Sequence, residues 1–133
     1  MRQVELTNVT RDASLGAQIA VADGWWTRLR GLLGRPPLEP GQGMLLSPCH
    51  SVHMYGMRQS LDVAFLDRAG RVVAMYPDLP PGRRTRWHSD AHQALELPPG
   101  MLGATRTQLG DTVKQAPAGV SAEVPASLAG ARE

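Results

Sequence analysis

The sequence predicts a mainly β fold in one domain, a compact β-sandwich or small barrel-like domain with one short N-terminal helix. Three observations carry that expectation. Apolar residues fall in short runs bounded by turn-forming clusters. Eleven Pro and fourteen Gly are too many for a helical bundle and suit a chain with many turns. Only one segment shows helical spacing. The 133 residues fit a single core, and an apolar content of 42% is slightly low but adequate. Phe65, two Tyr and three Trp are the whole aromatic complement, so Leu, Val, Ile, Met and Ala must build that core.

In chain order, Val4 to Leu6 reads as a short strand and Gly16 to Ala22 as a second. Asp23 is placed as an N-cap. Trp25 or Trp26, Leu29, and Leu32 or Leu33 follow at helical spacing, and Gly34 stands where a helix stops. Gly24 to Leu33 is therefore the expected helix, with Arg28, Arg30 and Arg35 on its outer side and end. Arg35 to Gly43 is a Pro/Gly loop, and Met44 to Leu46 opens a strand. Leu61 to Leu66, the turn Asp67-Arg68-Ala69-Gly70, and Arg71 to Tyr76 form an expected hairpin, with Gly70 suited to a left-handed position. Pro77 to Arg86 reads as a loop rich in proline and arginine. Gln93 to Leu97 is another strand, closed by Pro98-Pro99-Gly100. Gly110-Asp111 is a turn before a last short strand at Thr112 to Lys114. Residues 1–115 make up the expected domain. Residues 116–133, dominated by Ala, Pro, Gly, Ser and Val without a period, form an expected disordered tail.

The net charge is only +2 although the pI is 9.2, which is too near balance to imply nucleic acid by itself. Lys114 is the sole lysine, and the arginine bias is also what a skewed genomic composition would produce. One cysteine allows no internal disulfide. The N-terminus lacks the apolar stretch of a secretory signal, and no run approaches the roughly 20 residues of a membrane span, so a soluble cytoplasmic protein is expected.

Four blocks and their order carry a resemblance. They are RGLLGR at Arg30 to Arg35, GMLLSPCHSVHMYGM at Gly43 to Met57, LDVAFLDRAGRVV at Leu61 to Val73, and LELPPG at Leu95 to Gly100, with Gly110-Asp111 also fitting. Together, over about Trp25 to Val113, they resemble the bacterial and archaeal family called domain of unknown function 192. The resemblance implies a compact, mainly β fold with a short N-terminal helix, and it brings no catalytic assignment to any residue. Soluble members of that family usually read His-Thr-aromatic-aromatic-Met in the central block. Here His53-Met54-Tyr55-Gly56-Met57 replaces one bulky aromatic with Gly56.

The stretch Gly43 to Asp67 concentrates the chemistry: the lone Cys49, His50 and His53, three methionines and Asp62 within an apolar run. Cys49, His53 and Met57 recur every four residues, which places them on one face of either a strand or a helix. In a strand Cys49 and His53 would lie about 13 Å apart, too far to ligate one metal. A soft site of Cys49, His50 or His53, and Met54 or Met57 would suit Cu(I). Ser51 to Tyr55 reads better as a strand, however, and methionines in an apolar run are ordinary core filler. No cofactor or metal is therefore expected. Alternation would turn Asp62 and Glu96 out to solvent; otherwise each lines a pocket paired with Arg58, Arg30 or Arg35.

The functional expectation is a non-catalytic module that binds a small polar ligand or a protein partner. Its candidate residues are His53, Met57, Arg58, Asp62, Glu96 and Cys49. His53 and Arg58 would hydrogen-bond the ligand, Met57 and Trp25 or Trp26 would supply apolar contact, and Asp62 would hold Arg58. Two alternatives stay open. One is a small enzyme using Cys49 or the Asp62/Glu96 carboxylates. The other is nucleic-acid binding through the loop from Arg83 to Trp87, but nucleic acid is not the expected partner, because a solvated loop with Trp87 folded over an apolar edge is the favoured reading of those residues.

Overall fold

The structure, a computed structural model, describes residues 2–24 and 36–119. The expected helix, with Trp25, Trp26, Arg28, Arg30 and Arg35, falls outside the described residues apart from Gly24, as does the tail from residue 120 onward. Among the described residues seven strands are present: β1 (Gln3–Asn8), β2 (Ala13–Ala22), β3 (Gln42–Leu46), β4 (Leu61–Leu66), β5 (Val72–Leu79), β6 (Gln93–Leu97) and β7 (Val113–Pro117). A one-turn helix, α1 (Met101–Ala104), precedes β7. Among the described residues no helix is long and apolar enough to cross a membrane.

The strands form one sheet in the order β5-β4-β6-β3-β2-β1-β7. β2 and β3 run parallel and the other neighbouring pairs of these strands are antiparallel. A parallel pair needs a long crossover, and residues 23–41 supply it. The two outermost strands meet at one end. Arg71 bridges Thr112, the Val72 N–H donates to the Asp111 carbonyl at 2.9 Å, and the Val113 N–H donates to the Gly70 carbonyl at 2.8 Å. The sheet thus curls into a half-closed barrel, and of the two expected architectures the barrel-like one is realised. Gly70 sits at φ 84°, as the turn reading requires. A Cβ there would also stand 2.5 Å from the Val113 carbonyl oxygen, so closure itself demands glycine.

Both faces of the sheet are covered at the central strands β3, β4 and β6. Val4, Leu6, Leu15, Ile19, Leu45, Leu66, Leu95, Leu97 and Val113, with Leu102 from α1, fill the inside of the curl. On the other face Met44, Leu46, Leu61, Val63 and Phe65 are roofed by Val52, Met54 and Ala91 from the loops. Every residue of β4 is consequently buried. A strand buried twice reads as a continuous apolar run rather than an alternation.

That double burial corrects the solvent-facing reading of the two strand carboxylates. Asp62 is 1% exposed and Glu96 7%. Nor does Asp62 hold Arg58, whose side chain is exposed. One Asp62 oxygen accepts the Asp78 N–H at 2.8 Å, and the other accepts the Leu102 N–H at 2.8 Å. Each bond has a local cause. Between the pairs Leu61↔Leu79 and Val63↔Tyr76 the register slips by one residue, which marks a bulge in β5. The bulge frees the Asp78 N–H from the ladder, and Pro77 beside it has no N–H to offer. Leu102 lies in the first turn of α1, where amides have no partner within the helix. β5 therefore runs through Pro77 to Leu79, beyond the end expected at Tyr76, because an outer strand with a bulge tolerates proline.

Gly110-Asp111 is more than a turn. Buried Asp111 accepts from Arg11 Nε at 2.9 Å, from Asn8 Nδ2 at 3.0 Å and from the Gln108 N–H at 2.9 Å. The hydrogen bond from Arg11, followed by that from Asn8, holds this carboxyl down at about 2. The cluster fastens the start of β7 to the end of β1. β7 itself pairs with β1 as far as Pro117↔Val4, two residues past the expected domain end.

Asp62→Ala should destabilise the fold by about 2 kcal/mol, because the buried Leu102 amide and the part-buried Asp78 amide lose their acceptor. Asp62→Asn should cost less, since one carboxamide oxygen still serves one of them. Urea unfolding of the three proteins checks this. Equal midpoints would show that the two bonds contribute nothing.

Candidate functional site

The two loops that roof the outer face of the sheet pair with each other. The Met54 N–H donates to the Arg83 carbonyl at 2.7 Å, the Thr85 N–H to the Val52 carbonyl at 2.9 Å, and the His88 N–H to the His50 carbonyl at 2.8 Å. Val52 N–H adds a bond to Thr85 Oγ1 at 3.0 Å, and His53 bridges Arg84. Residues 50–54 and 82–88 thus form an irregular antiparallel ribbon lying on the sheet. Burial sorts its side chains: Val52, Met54, Thr85 and His88 face the sheet, whereas Ser51, His53, Tyr55, Arg84 and Arg86 face out.

The expected shared face of Cys49, His53 and Met57 does not survive this arrangement. Alternation holds only from Ser51 to Tyr55. The chain then turns at Gly56, at φ 79°, where the Met57 N–H returns to the Met54 carbonyl. Cys49 and Met57 both pack partly against the outer-face core, while His53 points away from it. The Cys49 Sγ lies 3.1 Å from the Ser51 carbonyl, to which it donates.

On the outward side of the ribbon lies an open groove of about 410 Å³. Ser51, Val52, His53, Tyr55, Arg84, Thr85, Arg86 and Trp87 line it. Two ring pairs stand along it. His50 stacks on Trp87 at 4.7 Å, and His53 stacks on Tyr55 at 5.2 Å. Trp87 is 63% exposed and Tyr55 53%, so Trp87 is stacked in the open and not folded over an apolar edge. Among the described residues no carboxylate lines the groove, and neither Arg84 nor Arg86 has an ion-pair partner. Two other depressions carry acidic groups: Asp67 and Asp90 in one, Glu39 in the other.

A buried pillar fixes the Trp87 end. His88 is 4% exposed, with its ring 4.6 Å from Phe65 and its Nε2 2.6 Å from the Tyr76 hydroxyl. Burial, and next to it the charge of Arg86, lowers its basicity and favours the neutral imidazole. The His88 carbonyl lies 3.1 Å from His50 Nδ1. A carbonyl can only accept, so that nitrogen carries the proton and the His50 ring is oriented from below. The Trp87–His50 stack is thereby tied to the core.

The carboxylates proposed for acid–base chemistry do not meet. Asp62 shares its face of β4 with Ala64 and Leu66, inside the curl. Glu96 shares its face of β6 with Ala94, in the opposite core. In the sheet Glu96 pairs with Met44 on one side and Val63 on the other. Its carboxyl makes no side-chain hydrogen bond among the described residues, and burial pushes it up to about 7. Of the expected site residues, His53 alone lines the groove. Arg58 is exposed outside it, Cys49 and Met57 lie partly against the outer-face core, Asp62 accepts two backbone amides, and Glu96 is buried.

The chain matches the DUF192 family, described as "Uncharacterized ACR", over residues 7–115. The chain belongs to this family. A UPF0127 protein of Thermococcus sibiricus is 30% identical over 118 residues, covering 81% of this chain and 72% of the relative. Two solved structures share the family chain's fold. A protein of unknown function from Novosphingobium aromaticivorans matches with a TM-score of 0.72 at 19% identity, covering 84% of this chain and 83% of its own. A Sinorhizobium meliloti protein, described as a suggested transcription regulator, matches with a TM-score of 0.71 at 20% identity, covering 86% and 92%. At such identities the likeness is one of fold.

Glu96 generates a pH prediction. Its folded carboxyl is a weaker acid than the unfolded one near 4.5, so the folded state holds the extra proton between pH 4.5 and about 7. Stability should fall across that window as pH rises, by about 3 kcal/mol in all, with the full cost in place above it. His88, held neutral, tilts the other way, so variant must be compared with parent. In urea unfolding, the stability of Glu96→Gln relative to the parent should rise with pH between pH 5 and about 7. Identical profiles would remove Glu96 as the source.

Proposed function

We propose that this family member is a non-catalytic binding module and that the ribbon groove is its site for an anionic partner. The observation that carries the reading is the convergence of Arg84, Arg86, His53, Tyr55 and Trp87 on one open surface that, among the described residues, holds no carboxylate. Arginine guanidinium groups present planar forks of donors suited to phosphate or carboxylate, and exposed rings add apolar contact beside them. Among the described residues the groove lining holds no thiol and no pair of carboxyls. Cys49 bonds within its own loop, and Asp62 and Glu96 are buried on opposite faces of the sheet.

The reading predicts salt-dependent binding of inorganic polyphosphate to the full chain. Arg84→Glu combined with Arg86→Glu should weaken it by about tenfold or more at low salt. Titration calorimetry at two ionic strengths measures both effects. Binding that ignores salt and survives the double substitution would refute the site.

A further inference from the structure

We infer that the outer face of the ribbon binds single-stranded nucleic acid, with bases on Trp87 and Tyr55 and backbone phosphates on Arg84 and Arg86. The inference rests on the reading of the groove as an anion site and names its ligand. Charge alone would accept any anion, and three features narrow the choice. The groove is open. Sites for small molecules enclose most of their ligand, whereas the rings here are 63% and 53% exposed. A surface of this shape gains affinity only from a ligand that repeats its contacts, as a polymer does.

The second feature is the pair of ring platforms. Each has one face taken by a histidine, His50 behind Trp87 and His53 behind Tyr55. Exposed rings of this kind stack unpaired bases irrespective of sequence, because every base has a π face. A duplex has no such faces to offer, since its bases are already stacked on each other. The Trp87 platform is held by the bond from His50 to the buried His88 backbone, so little ordering is required on binding.

The third feature is spacing. Arg84 and Arg86 flank buried Thr85 on a ribbon strand, so both project outward, about 7 Å apart along the chain. That spacing suits neighbouring phosphates of an extended strand. Arg83 is exposed beside them.

The test is fluorescence anisotropy of a labelled oligothymidylate of roughly twelve nucleotides with the full chain, from low to moderate salt. Inorganic polyphosphate, an abasic strand of equal length and thymidine monophosphate serve as competitors. Two phosphate contacts should give a slope of log affinity against log salt of about −1.4. Trp87→Ala should weaken the oligonucleotide by about tenfold, and by more than it weakens polyphosphate. Arg84→Gln with Arg86→Gln should flatten the salt slope. All four side chains are exposed, and melting curves confirm that the variants fold. Three results would overturn the inference and leave the anion site standing: an abasic strand or polyphosphate binding as tightly as the oligonucleotide, thymidine monophosphate competing equally well per mole, or no loss from Trp87→Ala and Tyr55→Ala. Failure of polyphosphate and oligonucleotide alike would overturn both readings.

Discussion

Strands β4, β6 and β3 must be kept from water on both faces, and much else in the molecule follows from that. The inside is closed by curling the sheet and plugging it with Leu102. The outside has no second sheet among the described residues. It is sealed in part by two loops that drop Val52, Met54 and Ala91 onto Met44, Leu46, Val63 and Phe65. Loops normally keep their backbone wet because buried peptide groups need partners. Here the two loops supply each other's partners, which is why they run as a ribbon. The groove is the solvent side of that cover.

Burying the sheet twice also traps polar groups, and the protein treats its carboxyls in three ways. Asp62 collects two stray amides and stitches the β5 bulge to α1. Asp111 is wrapped by Arg11, Asn8 and a backbone amide, which favours its charge strongly. Glu96 has no such donor and sits between Met44 and Val63, where burial favours the neutral acid. The first two hold distant segments together. The third is a cost that no contact among the described residues offsets.

The strands were legible where turn chemistry bounds them. Leu61–Leu66 ends at an Asx-type turn, and Gln93–Leu97 ends at two prolines; both match the reading to the residue. β1 and β2 are longer than expected, because polar residues at their ends hide the pattern. β5 was cut short at Pro77, a residue that argues against a strand unless the strand is known to be an outer one. α1 is a single turn after Pro98-Pro99-Gly100, too short to show a period. For the site, His53 and the Arg83–Trp87 loop each stood out by residue type. Their adjacency did not, since a ribbon pairing residues 33 apart leaves no local signature. The carboxylates were misjudged for one reason: alternation assumes a dry face and a wet one, and these strands have two dry faces.

Burial along the ribbon divides its residues into two populations. Val52, Met54, Thr85 and His88 answer to the core and tolerate little change in size or polarity. Ser51, His53, Tyr55, Arg84 and Arg86 answer only to what meets the surface. Those outward positions can therefore be rewritten without disturbing the sheet beneath. One scaffold can carry a basic, an acidic or an apolar face on the same two loops, and a shared architecture at 19% and 20% identity does not commit its bearers to a shared ligand.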